Sequence, residues 1–85
     1  MPIISSFFGI VIRMFYRDHE PPHFHAVYGE YEASIEIEPI VIHGSLPPTA
    51  QRLVVEWASL HKAELLENWR LAREGQPLNA VEPLD

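Results

Sequence analysis

The chain has 85 residues, 47% of them hydrophobic and 21% charged, so it is long enough for one small core and too apolar to stay disordered. It contains no cysteine, which excludes disulfide staples, thiolate zinc sites and cysteine nucleophiles; twelve Asp and Glu against six Lys and Arg give a net charge of −6, which opposes nonspecific binding to nucleic acid. No stretch reaches the ~20 apolar residues of a membrane span, and Met1 to Phe8 has neither the positive start nor the small-residue cleavage site of a signal peptide, so the expected location is the cytosol, away from membranes.

The first half of the chain is β-branched and aromatic, the second half rich in Leu, Ala, Glu, Arg and Gln. A first strand is expected over residues 9–17, with Ile10, Ile12, Met14 and Tyr16 on one face and Val11, Arg13, Phe15 and Arg17 on the other. Asp18-His19-Glu20-Pro21-Pro22 breaks it, because neither proline donates a backbone hydrogen bond. A second strand follows over 23–28. Gly29-Glu30 between two tyrosines has the composition of a two-residue hairpin turn, so Tyr28 faces Tyr31 and a third strand covers 31–38. Counting back from the turn pairs Phe24 with Ile35 and Ala26 with Ala33 on an apolar face. On the polar face it pairs His23 with Glu36, His25 with Ser34 and Val27 with Glu32. Pro39 interrupts the ladder, and residues 40–43 form a short edge strand.

Pro47-Pro48 suits a helix entry and Gly75 followed by Pro77 its exit, giving a helical region over 48–74. Ala50, Leu53, Val54, Trp57, Ala58, Leu60, Leu65, Trp69, Leu71 and Ala72 fall on its broad apolar side. An unbroken helix of this length would run about 40 Å at 1.5 Å per residue, longer than the strands it covers, so it overhangs, bends near Ser59 to His61, or reaches a second subunit. The tail, 77–85, spaces Leu78, Val81 and Leu84 as an arm that lies back on the fold. The expected architecture is one α+β domain over 1–85. A three- or four-stranded, mainly antiparallel sheet is packed on one face by a long or bent C-terminal helix.

Three groups of residues carry candidate chemistry. Strand geometry points His23 and His25 outward on one face, with their backbones roughly 6 to 7 Å apart, Glu36 opposite His23, and Asp18-His19 just upstream. Two histidines and a carboxylate make a possible site for a divalent metal such as zinc, nickel or iron; Asp18 or His19 completes the shell if the double-proline turn folds back. The same pattern also fits a solvated strand face or a contact surface. Arg13, Phe15 and Arg17 form a second group, with the composition of a base-stacking or protein-contact surface, although Glu32, Glu36 and Glu38 lie near enough to neutralise both arginines. Third, His61, Glu64 and Asn68 fall within the apolar side of the helix, where they either tie it to its surroundings or act chemically. There is no phosphate loop, no G-x-S-x-G elbow, no H-E-x-x-H and no dinucleotide fingerprint.

Several motifs carry a resemblance: Met1-Pro2-Ile3-Ile4 with Phe8-Gly9-Ile10-Val11-Ile12, the run Asp18-His19 with Pro21-Pro22-His23-Phe24-His25-Ala26, and Glu56-Trp57 with Leu65-Leu66-Glu67-Asn68-Trp69. Over nearly its whole length the chain resembles the bacterial family named domain of unknown function 4160. The resemblance implies a short, stand-alone, cytosolic bacterial protein whose gene neighbours that of a second small family, in a toxin–antitoxin-like arrangement; it carries over no catalytic residues. The leading expectation is therefore an interaction protein from such a two-gene module, partnered by the neighbouring gene's product or by a second copy of itself. The alternative is a metal-dependent hydrolase or nuclease built on His23, His25 and a carboxylate. A nucleic-acid-binding regulator is a further alternative, one that the net charge disfavours.

Overall fold

The computed structural model describes residues 2–85; Met1, which opens the first of the family-like motifs, lies outside them. Five strands, β1 (Ile3–Phe7), β2 (Ile10–Arg13), β3 (His23–Tyr28), β4 (Tyr31–Ile37) and β5 (Ile40–Gly44), form one antiparallel sheet in chain order. Two helices follow, α1 (Pro48–Leu60) and α2 (Lys62–Arg73). The α+β architecture with an antiparallel sheet is as expected. The strand count is five rather than three or four, and two helices replace one long or bent one.

The extra strand is β1, joined to β2 by the two-residue turn Phe8-Gly9. Both turn residues have positive φ, 50° and 80°, the geometry whose twist matches a two-residue hairpin. A phenylalanine at positive φ is unfavourable by itself, so the sequence carries no Asn-Gly-like signal there. The strand expected over 9–17 ends at Arg13, because the chain turns at Tyr16-Arg17, with Arg17 also at positive φ, 54°. The β3–β4 register is the one counted from the Gly29-Glu30 turn, from Tyr28–Tyr31 to His23–Glu36. Gly29 supplies the positive φ that this turn requires at its first central position.

One face of the sheet is apolar. Ile10, Ile12, Phe24, Ala26, Ala33, Ile35 and Ile37 pack with Val54, Trp57, Ala58 and Leu65 into a single core. Trp57 is fully buried, edge-on to Phe24 at 5.6 Å between ring centroids, tilted on Phe7 at 5.3 Å, and its indole N–H donates to the Glu82 carbonyl at 2.8 Å. The helices separate at His61, whose ψ of 26° leaves the helical region; this turns Leu60, expected in the apolar stripe, out to 67% exposure. Helix α2 ends in paired bonds from the Gly75 N–H to the Ala72 carbonyl and from the Gln76 N–H to the Leu71 carbonyl, with Gly75 at φ 73°.

The tail lies back on the fold. Val81 is buried and its N–H donates to the Ile4 carbonyl at 2.8 Å, while Asn68 on α2 exchanges two 2.8 Å bonds with the backbone of Asn79. The outer side of β1 is thereby partly occupied, whereas β5 is the open edge of the sheet among the described residues. No helix among them is long and apolar enough to cross a membrane.

Candidate metal centre on the polar sheet face

The alternation of β3 sends Phe24 and Ala26 into the core and His23 and His25 to the opposite face. The loop between β2 and β3 folds back over the start of β3. Its Asp18 carboxylate reaches both rings, at 3.0 Å from Oδ2 to Nε2 of His23 and 3.7 Å from Oδ2 to Nε2 of His25. One donor atom from each of Asp18, His23 and His25 lies within 4.8 Å of the others, close enough for a single cation to touch all three.

The set expected from strand pairing was His23, His25 and Glu36, and the structure exchanges Glu36 for Asp18. Glu36 does sit opposite His23, but its carboxylate is taken by His43 on β5 at 2.6 Å. His19, the other loop candidate, stacks on His23 at 5.2 Å between ring centroids and points to solvent, outside the set. His23 is also not on a solvated face. It is 5% exposed, covered by His19 on one side and by Trp69 of α2 at 5.1 Å. That contact depends on α2 turning away from α1 at His61, which the length of the helical region left open.

His23 is fixed as metal-binding histidines are. Its Nδ1–H donates to the Pro21 carbonyl at 2.8 Å, which holds the ring and turns Nε2 toward Asp18. A neutral ring in that tautomer aims a lone pair at a carboxylate oxygen 3.0 Å away, a repulsive contact unless a proton or a cation lies between them. Nε2 of His25 is buried and has no hydrogen-bond partner, while its ring stands perpendicular to that of Phe15 with centroids 4.5 Å apart. Burial, reinforced by the neighbouring His23, pushes the His25 imidazole below its ordinary value despite Asp18 and Glu32, so the ring is held neutral and able to ligate. Burial opposes ionisation of Asp18, but the His19 backbone N–H at 2.8 Å and the His23 side chain outweigh it and hold the carboxyl below its usual range. The deprotonated carboxylate and neutral imidazole are the forms a divalent cation requires.

A shallow cavity of about 540 Å³ opens over this set, with Phe15, Tyr16, Arg17 and Ser34 as further walls. Strand alternation groups Tyr16 with Ile10, Ile12 and Met14, which are buried, but the turn at Tyr16-Arg17 brings Tyr16 out. Ser34 was legible as the partner of His25 in the register, though not as part of a site. The expected neutralisation of Arg13 and Arg17 does not occur: Glu32 approaches His25, Glu36 holds His43 and Glu38 holds Lys62. The helical candidates lie elsewhere. His61 and Glu64 bond each other at 2.6 Å, and Asn68 is buried and anchors the tail. Of the sequence candidates the structure therefore gathers Phe15, Arg17, Asp18, His19, His23 and His25, with Arg13 adjacent to His25 on β2, and leaves out Glu36, Glu64 and Asn68.

A family model described as Domain of unknown function (DUF4160) matches residues 9–70, most of the chain and all three candidate ligands. No curated protein and no solved structure matches.

Proposed function

The chain belongs to the domain of unknown function 4160 family, and we propose that it is a metal-dependent protein whose working centre is a divalent transition metal held by Asp18, His23 and His25. The observation that carries this reading is the convergence of three ligand atoms within 4.8 Å, with Nε2 of His25 buried and without a hydrogen-bond partner and the ring of His23 oriented through its far nitrogen. A mixed nitrogen and oxygen set suits zinc, iron or nickel better than calcium or magnesium. Three protein ligands leave coordination positions open toward the cavity, the arrangement that activates a water for hydrolysis and that a closed structural site lacks.

Calorimetric titration of zinc, nickel, iron(II) and manganese into chelator-treated protein tests the reading. One equivalent should bind with release of protons, and Asp18→Asn or His25→Ala should weaken binding by about 100-fold, at or beyond the upper end for loss of a supporting residue. Glu36→Gln should leave the affinity unchanged, since that carboxylate is engaged by His43. Binding weaker than about 100 μM, or indifferent to Asp18 and His25, would remove the reading.

The second reading, an interaction protein of a two-gene toxin–antitoxin-like module, draws on the family resemblance, with the open edge of β5 as a surface on which another chain could add a strand. Co-purification with the product of a neighbouring gene, together with growth assays of each gene expressed alone, tests it.

A further inference from the structure

We propose that the open side of the metal centre receives a phosphoryl group, so that the substrates are phosphate esters, with Arg17 and Arg13 supplying the charge that holds them; this rests on the metal reading above. The first support is the distribution of ion pairs. Lys62, Arg70 and Arg73 are matched with Glu38, with Glu67 and Glu74, and with Glu20, whereas Arg13 and Arg17 have no carboxylate oxygen within 4.0 Å among the described residues. Arg52, on the solvent face of α1, likewise has no ion-pair partner among the described residues. In a chain with twice as many acids as bases, one unpaired arginine in the cavity wall and a second paired across the strands with His25 make a local positive field against a negative background.

The second support is how these arginines are placed. Arg17 forms part of the cavity wall at a positive φ of 54°, a conformation costly for a side-chain-bearing residue and characteristic of functional positions. Its N–H is fixed to the Ala72 carbonyl at 3.2 Å, and its guanidinium lies on Gly75, where a Cβ would stand 2.8 Å from Nη2. The end of α2 thus makes room for this arginine. Arg13 is the cross-strand neighbour of His25 on β2, and its Nε is buried without an acceptor.

The charges then select the ligand. A divalent cation on two neutral imidazoles and one carboxylate carries a net charge of +1, to which Arg17 adds a charge from the cavity wall and Arg13 one from the strand position paired with His25. Glu32, 3.9 Å from His25 Nδ1 and mostly exposed, is the nearby counter-charge. This balance suits a dianionic phosphoryl group better than a carboxylate or a neutral amide, and phosphate is the anion that metal and arginine bind together most readily. The Phe15 and Tyr16 walls offer an apolar surface for an aromatic group esterified to that phosphate, such as a nucleoside. In the hydrolysis that follows, a water oxygen bonds to phosphorus as the ester P–O bond breaks; one water proton goes to the departing oxygen and the other to solvent.

The experiment uses the full chain in two stages. Zinc is titrated first into wild type, Arg17→Lys, Arg17→Ala and Arg13→Lys, where unchanged affinity shows that fold and metal centre survive. The zinc-loaded proteins are then titrated with inorganic phosphate, a nucleoside 5′-monophosphate and a dinucleotide, with hydrolysis of 4-nitrophenyl phosphate and its bis-ester as the activity readout. Phosphoryl binding should require zinc and weaken about tenfold in Arg17→Ala, with partial retention in Arg17→Lys, as expected for loss of a charge-assisted contact. Tighter binding of the nucleotides than of phosphate identifies the ester as the ligand, and equal binding identifies the phosphoryl group alone. Zinc binding without phosphoryl binding, or phosphoryl binding indifferent to both arginines, overturns this inference and leaves the metal reading standing; no zinc binding overturns both.

Discussion

Asn68→Ala tests the account of how the C-terminal arm is held. Asn68 has no solvent exposure, and its amide satisfies both polar groups of one peptide residue: Nδ2 donates to the Asn79 carbonyl and Oδ1 accepts from the Asn79 N–H, each at 2.8 Å. Neutral hydrogen bonds contribute about 1 kcal/mol each, and Asn79 is on the surface, so water recovers part of the loss once the arm moves. A cost of about 2 kcal/mol follows, equivalent to roughly 10 °C in melting temperature for a domain of this size. Because the same arm places Val81 on Ile4 and the Glu82 carbonyl on Trp57, its release should show as faster proteolysis and hydrogen exchange over 77–85. Urea melts and exchange measured on both proteins check this. A loss below about 0.5 kcal/mol, with the arm as protected as in the wild type, would refute the reasoning.

Trp57→Ala should cost about 3 to 5 kcal/mol in urea melts, comparable with the whole stability of a core this small, because a fully buried indole touching Phe7 and Phe24 leaves a cavity that the sheet cannot fill. Metal-free protein should lose stability as pH falls. His25 has a lowered folded value, so the unfolded chain takes up its proton first, and the contribution present above about pH 6.5 disappears as pH drops through 6.5 toward the folded value. Asp18, also lowered, adds a second loss below about pH 4. His25→Gln should flatten the first loss and keep the second; melts at pH 7.5, 5.5 and 3.5 that show the same slope in both proteins would contradict the assignment.

The sequence specified most where periodicity and turn chemistry agreed. The Gly29-Glu30 turn set the whole β3–β4 register, and with it the outward direction of His23 and His25. Leu78, Val81 and Leu84 marked an arm that the structure packs on the core. Local reasoning failed where tertiary contacts override it. Phe8 tolerates a left-handed turn because the hairpin it closes buries Phe7 and Ile10, so β1 was not legible. Leu60 belonged to the apolar stripe until the break at His61 turned it outward. Pairing placed Glu36 beside His23, but pairing says nothing about competition from His43 on the next strand or about a loop that brings Asp18 back across five residues. The Asp18 to His25 segment was legible as one of three candidate groups; which carboxylate lies against the two imidazoles depended on the path of the β2–β3 loop.

The most direct test of the metal centre is histidine ring nitrogen NMR during zinc addition to chelator-treated, ¹⁵N-labelled protein. The account predicts that at one equivalent Nε2 of His23 and of His25 shift to metal-bound positions, that Nδ1 of His23 keeps its proton for Pro21, and that His43 and His61 are unmoved. Coordination through His43, or no ring shifting at one equivalent, would contradict it.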